Sequence, residues 1–399
     1  MHELSVDELE KKFAHERART SAPPDFHLPK ELPAGRYTDQ RFWDLEQKYF
    51  WPKTWVCAGR EEQVRTPGDY LQFQKLGRDI VIVRGQDGNL RAFYNTCQHR
   101  GGPVVPEKCG HANRLTCGYH AWTYDLEGSL VVVPNEREFP GLDKKKKSLK
   151  RVRVECWGGW IFINEDLSAP SLLEYLDPIP AELAVMKSEN LRLVYEYSFE
   201  VPCNWKVNSD AFLEVYHIKT IHPRTITPMV DTDATVVEMY RNGHGMFAMP
   251  YKNGMSDPYR DRTDQTDRAP TLAADNDLRT IASLTYVAFP NFHAPLTLDG
   301  YHILLMWPIS PDRTELQVYQ LGADWGNGPP PAHWEQSKAG LEVVVGEDVS
   351  LFGKLQRSLG DHGVSSTPLG YLERRIHHFH VQLDEFIGRD RIPPELLAS

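Results

Sequence analysis

The stretches Cys97-Gln98-His99-Arg100-Gly101-Gly102 and Cys117-Gly118-Tyr119-His120-Ala121-Trp122 decide how this sequence is read. They give Cys-x-His and Cys-x-x-His, with seventeen residues between the halves. Two thiolates and two imidazoles hold either a zinc ion or a [2Fe-2S] cluster in which one iron takes both cysteines and the other both histidines. The donor set alone leaves both open. Strand signals flank it on either side. Ile80-Val81-Ile82-Val83, the turn pair Asp87-Gly88 and Leu90-Arg91-Ala92-Phe93-Tyr94 read as a β-hairpin. A second hairpin is expected around Asp125-Leu126-Glu127-Gly128, and strand character continues to Trp160-Ile161-Phe162-Ile163-Asn164. Residues 45–165 are therefore expected to form a small all-β unit whose loops carry Cys97, His99, Cys117 and His120.

Beyond that unit the pattern turns to α+β. Segments 191–201, 234–249, 282–292 and 301–307 read as strands, and 171–187, 209–220 and 341–359 as helices, which suits a sheet with helices packed on one face. The second of these helices carries Asp210-Ala211-Phe212-Leu213-Glu214-Val215-Tyr216-His217, followed by His222-Pro223. Two histidines plus one carboxylate with open positions make the facial triad of mononuclear Fe(II) oxygenases. Five residues apart on a continuous helix, the two rings would diverge by about 140°. The helix is expected to end between them, with His222 returning from the following turn. Glu214 lies one helical turn before His217, placed to accept that ring's N–H or to reach a cluster ligand of another subunit.

Both motif halves, with the Arg100-Gly101-Gly102-Pro103 continuation, match the Rieske ferredoxin pattern residue by residue. Over residues 38–388 the chain resembles the α (large, terminal oxygenase) subunits of Rieske non-haem iron aromatic ring-hydroxylating oxygenases. The resemblance implies an N-terminal arm (1–44) packing on the catalytic domain, an all-β Rieske [2Fe-2S] domain (45–165), and a helix-grip catalytic domain, an antiparallel sheet with helices on one face (166–399). It implies a cluster on Cys97, His99, Cys117 and His120, covered by Pro103, Tyr119 and Trp122. Imidazole ligation sets such a cluster at about −150 to +300 mV. It also implies Fe(2+) on His217, His222 and an acid from a late helix, best matched by Asp348 in Glu347-Asp348-Val349; read alone, that acidic pair is a favourable charge at a helix start. In a head-to-tail trimer, Glu214 would bridge His217 to His120 of a neighbouring chain. Glu214 stands where many members carry Asp, and Asp210-Ala211 replaces the usual Glu-Asn.

Composition sets the class. A formal charge of −10 on 399 residues argues against nucleic acid or an anionic membrane as partner, and no apolar run reaches about 18 residues, so a cytoplasmic protein is expected. Cys57, Cys109, Cys156 and Cys203 are expected to be buried small hydrophobes. Lys144-Lys145-Lys146-Lys147 reads as a solvated loop, or as a patch steering an acidic partner. No Gly-x-Gly-x-x-Gly follows a strand, so NADH or NADPH electrons are expected through a separate flavin reductase, with or without a ferredoxin; a small β subunit could join the trimer. Candidate pocket residues are Phe212, Leu213, Met246, Phe289, His293 and Trp307, with Met229, Phe247, Met249, Asn291 and Leu305. The favoured substrate is an apolar, aromatic ring compound, with or without a carboxylate. The alternatives are oxidative N- or O-demethylation, including quaternary ammonium groups, and a non-catalytic electron carrier.

Overall fold

A computed structural model describes residues 5–26, 30–252, 277–296, 300–361 and 363–398. Residues 1–4 and 27–29 of the expected N-terminal arm lie outside the described residues. The chain forms two compact units, residues 51–175 and residues 1–50 with 176–399.

In the first unit the expected hairpin closes with Ile80 opposite Tyr94 and Arg84 opposite Leu90. It lies within a seven-stranded antiparallel sheet ordered Val56–Arg60, Trp160–Asn164, Arg151–Trp157, Leu90–Tyr94, Ile80–Arg84, Asp69–Phe73, Cys109–His111. A smaller sheet joins Leu115–Thr116, Thr123–Tyr124 and Leu130–Val132. Gly128 closes its turn at φ +86°, where a Cβ would also collide with the Phe93 ring. Val81, Val83, Phe93, Leu115, Trp122 and Tyr124 build one core, and Cys97 and Cys117 belong to it. The loops that carry Cys97, His99, Cys117 and His120 thus hang from this core.

The second unit is built on a seven-stranded antiparallel sheet. Its strands are β1 (Arg192–Val201), β2 (Val236–Met239), β3 (Gly245–Pro250), β4 (Ala282–Ala288), β5 (Phe292–Leu296), β6 (Gly300–Ser310) and β7 (Arg313–Gly322), in the order β1-β7-β6-β5-β4-β3-β2. Its helices include α1 (Val6–Ala18), α2 (Trp205–Ala211), α3 (Ile218–Ile221), α4 (His333–Gly360) and α5 (Arg374–Ile387). Ser5 and Glu8 close a capping box on α1, and Arg17 Nε bonds Asp231 Oδ2 at 2.9 Å. The N-terminal segment thus groups with residues 176–399 through Phe50 rather than residue 44.

Several expected elements differ. Segment 209–220 is not one helix: α2 ends at Ala211, and the Asn204 cap at its start leaves it only two turns. Segment 171–187 is broken into short pieces around Pro178, whose ring cannot occupy a helix interior. Segment 234–249 is a hairpin, β2 paired with β3, because Asn242 and Gly243 turn the chain at positive φ. Glu347 and Asp348 lie in the middle of α4, so the helix-start reading of that pair is withdrawn. Cys57 and Cys203 are buried, but Cys109 is exposed and Cys156 half-buried, both on the strands of the first unit.

Candidate metal centres

The cluster motif folds as two tight loops. Cys97 N–H donates to Gly102 O (2.8 Å) and Gly101 N–H to Cys97 O (3.0 Å); Cys117 N–H donates to Trp122 O (2.9 Å) and Ala121 N–H to Cys117 O (3.0 Å). Gly101 takes φ +80°, which glycine adopts without steric cost. A Cβ on Gly102 would stand 3.0 Å from Cys117 Sγ, so glycine leaves the thiolate room. Both cysteines are 3% exposed, while His120 and Tyr119 reach solvent. The His99 and His120 rings are 4.6 Å apart, and Trp122 stacks on His99 at 4.8 Å and 10°. Trp122 is the buried member of the expected cover; Pro103 and Tyr119 are exposed.

The donors fit a two-iron cluster. A buried thiol pair faces inward and an imidazole pair outward, one pair per iron. His99 Nδ1 is buried with no hydrogen-bond partner in the protein, which a metal bond would satisfy. Burial pushes the Cys97 thiol up, and it pulls the His99 imidazole down with help from His120 and Arg100. Tyr124 Oη accepts Gln98 N–H at 2.9 Å, which leaves its own proton for Cys97 Sγ at 3.3 Å.

The second centre forms where the expected helix breaks. Phe212–Tyr216 turn the chain between α2 and α3, so His217 immediately precedes α3 and His222 immediately follows it. Both rings converge on α4: His222 Nε2 is 3.1 Å and His217 Nε2 3.6 Å from Asp348 Oδ1. Among the described residues, these three offer donor atoms all within 4.8 Å of one another. Two imidazoles and one carboxylate on one side, with the other positions open, suit Fe(II).

Each ring's back is held by a carboxylate. Glu214 bonds His217 Nδ1 and the Tyr216 and His217 amides. Glu347 Oε2 lies 2.7 Å from His222 Nδ1 and accepts Thr225 Oγ1–H at 2.7 Å. Burial pulls the His222 imidazole down, but Asp348 and Glu347 outweigh it and raise it overall. Burial favours a neutral Glu347, yet the bonds from His222 and Thr225 hold it below the usual carboxylate range.

Two cavities meet at the triad. One, of about 200 Å³, lies between α4 and the sheet and is lined by Phe212, Met229, Phe247, Met249, Leu304 and Val344 among others. The other, of about 340 Å³, has an apolar wall of α4 side chains and polar groups from Tyr37, Asp210, Glu214 and Glu373. Asp210 is held there by Tyr37 Oη–H (2.7 Å) and His380 Nε2 (3.2 Å).

Of the sequence candidates, Phe212, Met229, Phe247 and Met249 line the smaller cavity, but Leu213, Met246, Phe289, Asn291, His293, Leu305 and Trp307 do not. For Met246, Leu305 and Trp307 the difference is one of strand register: Phe247, Met249 and Leu304 line the cavity, and alternate strand residues face the other side. Phe289 instead packs on Phe50, Phe379 and Phe386, Trp307 Nε1–H donates to Gln317 at 2.8 Å, and His293 Nε2 meets Ser209 Oγ at 2.8 Å. Leu341, Val344 and Val345 were missed, although they precede Asp348 at helical spacing on one face of α4.

Residues 188–389 match the family model described as Ring hydroxylating alpha subunit (catalytic domain), and residues 54–156 match the Rieske [2Fe-2S] domain. The chain belongs to the ring-hydroxylating alpha subunit family. Similar members are the carnitine monooxygenase oxygenase subunit of Escherichia coli (33% identical; 57% of this chain, 63% of that one) and the chlorobenzene dioxygenase subunit alpha of a Cupriavidus species (36%; 46% and 42%). The glycine betaine monooxygenase oxygenase subunit of Pseudomonas aeruginosa is 29% identical over 51% of this chain and 47% of that one. The matched region thus spans 42–63% of the length of these relatives. The fold is shared with a quaternary ammonium Rieske monooxygenase bound to L-carnitine (TM-score 0.74, 24% identity, 92% and 99% covered) and with naphthalene 1,2-dioxygenase from a Rhodococcus species (TM-score 0.74, 19%, 96% and 98%). Among the described residues, no helix of this alpha subunit is long and apolar enough to cross a membrane.

Proposed function

We propose that this chain is the terminal component of a Rieske non-haem iron oxygenase that hydroxylates an apolar, aromatic substrate. The observation that carries it is an open-sided triad, His217, His222 and Asp348, facing a cavity of about 200 Å³ whose wall is mostly apolar. When bound, the [2Fe-2S] cluster supplies single electrons and the mononuclear iron activates O2. Cys97, His99, Cys117 and His120 would hold the first, and the triad the second. Phe212, Ile218, Phe247 and Leu304 seat the substrate and exclude water. A dry apolar cavity of about 150 Å³ takes benzene, so this one suits one or two rings.

Among the described residues, no Lys or Arg lines this cavity, so a substrate carboxylate would find no counter-ion there. Glu214 would carry the electron route, accepting the His217 ring proton on one side and meeting His120 of a neighbouring chain in a head-to-tail ring. Electrons would come from NADH or NADPH through a separate flavin reductase. A second reading, oxidation of an N-methyl group, is favoured by a cavity lined by the Phe212, Phe247 and Tyr251 rings together with Glu214, with no Lys or Arg to repel a methylammonium cation.

The test is substrate-triggered NADH and O2 consumption with a reconstituting reductase. A panel of one- and two-ring aromatics should yield hydroxylated products. Formaldehyde release from trimethylammonium compounds with inert aromatics would replace the first reading with the second, and turnover of neither, with both metals loaded, would sink both.

A further inference from the structure

The consecutive acids of α4 bracket the His222 ring: Asp348 Oδ1 stands 3.1 Å from Nε2, and Glu347 Oε2 stands 2.7 Å from Nδ1. Neighbouring helix residues point about 100° apart, so one helix can touch both nitrogens only because the ring lies between its side chains. We propose that Glu347 is a positioning residue that fixes His222 with its proton on Nδ1, leaving Nε2 bare for iron. The inference rests on His217, His222 and Asp348 being the iron ligands.

Glu347, ionised, can only accept, so the ring nitrogen facing it is the N–H. Its Oε2 also accepts Thr225 Oγ1–H, which stops the carboxylate from turning away. Thr225 lies three residues after His222, so the turn that carries the ligand is tied to the helix that carries the third ligand. His222 is 1% exposed and Glu347 26%, so water that enters in place of Glu347 both donates and accepts, and it does not dictate which ring nitrogen carries the proton. The plain alternative is a polar tie between turn and helix with no bearing on the metal.

The experiment is anaerobic Fe(II) titration of the full chain with its cluster in place, with EPR of the ferrous nitric oxide adduct. Glu347→Ala is expected to bind Fe(II) about 10- to 100-fold more weakly and to alter the rhombicity of the adduct signal. Glu347→Gln, whose side-chain carbonyl still accepts Nδ1–H, should stay within about threefold of the parent. Parent-like affinity in Glu347→Ala, or equal loss in both variants, overturns the proposal. Should Glu347→Ala not fold, Thr225→Val is expected to weaken iron about two- to fivefold, and an unchanged affinity and adduct signal there overturns it equally. His222→Ala separates the two ideas: if parent and His222→Ala bind Fe(II) alike, the ligand assignment itself has failed.

Discussion

Single side chains already set testable magnitudes. The Tyr124 hydroxyl on Cys97 Sγ, 3.3 Å away, favours extra negative charge on the sulfur and therefore the reduced cluster. A hydrogen bond to a charged group contributes about 1.5 kcal/mol, so Tyr124→Phe should lower the cluster potential by about 60 mV for one electron. A spectroelectrochemical titration that finds no shift would show that the bond carries no charge. Buried histidines give a second expectation. Burial pulls His293 down to about 3 and His302 down to about 4, and each has a buried ring nitrogen without a partner in the protein. In the unfolded chain both titrate near 6.5. Between that value and about 4 the unfolded state binds more protons, so stability is fully present above pH 6.5 and is lost as pH falls. At about 1.4 kcal/mol per unit, each costs about 2 kcal/mol at pH 5. Urea melts at pH 7 and 5 should show this loss, and His302→Leu should reduce the difference; an unaltered difference would mean that His302 is not held neutral.

At the scale of elements, what could be read in advance was what depends on spacing alone. The cluster loops were legible because Cys97, His99, Cys117 and His120 are close in sequence and their turns need particular residues, Gly101 and Gly102 among them. The candidate iron site was half legible: His217 and His222 announce themselves, but Asp348 arrives from residues 333–360, and only resemblance pointed to it. Segment 209–220 was misread because its residue types are compatible with helix while the site needs a break; tertiary contacts, not propensity, stop α2 at Ala211. The anchor that holds α2 could not be seen in sequence either. Lys206 and Glu46 are both fully buried, Nζ to Oε1 2.7 Å, with Trp205 Nε1 3.3 Å from the same carboxylate. Burial raises Glu46 and lowers Lys206 despite their pairing, so the pair is costly to desolvate and costlier to break. Lys206→Met alone should destabilise by about 3–5 kcal/mol, and Lys206→Met with Glu46→Gln should recover most of it. Equal losses in single and double variants by chemical denaturation would show that packing, not charge, governs this contact.

Across the whole molecule, charge is divided unevenly. Residues 51–175 carry 18 Lys and Arg against 15 Asp and Glu, while the remainder carries 27 against 40. Opposite net charge on the two units of one chain favours heterologous pairing between copies, the cluster unit of one with the iron unit of the next, and such contacts form a ring where the rotation between copies closes. If electrons cross between copies in that way, a chain lacking its own cluster can still turn over when its neighbour has one. Co-expression of Cys97→Ala, with a dead cluster and a sound iron site, and His222→Ala, with the reverse, tests this directly. Each alone should be inactive. In randomly mixed rings a sound iron site follows a sound cluster about one time in four, so the mixture should reach about a quarter of the parent's turnover per chain, and should lose it when high salt dissociates the ring. Transfer confined within a chain predicts none at any mixing ratio, because no single chain would hold both working centres.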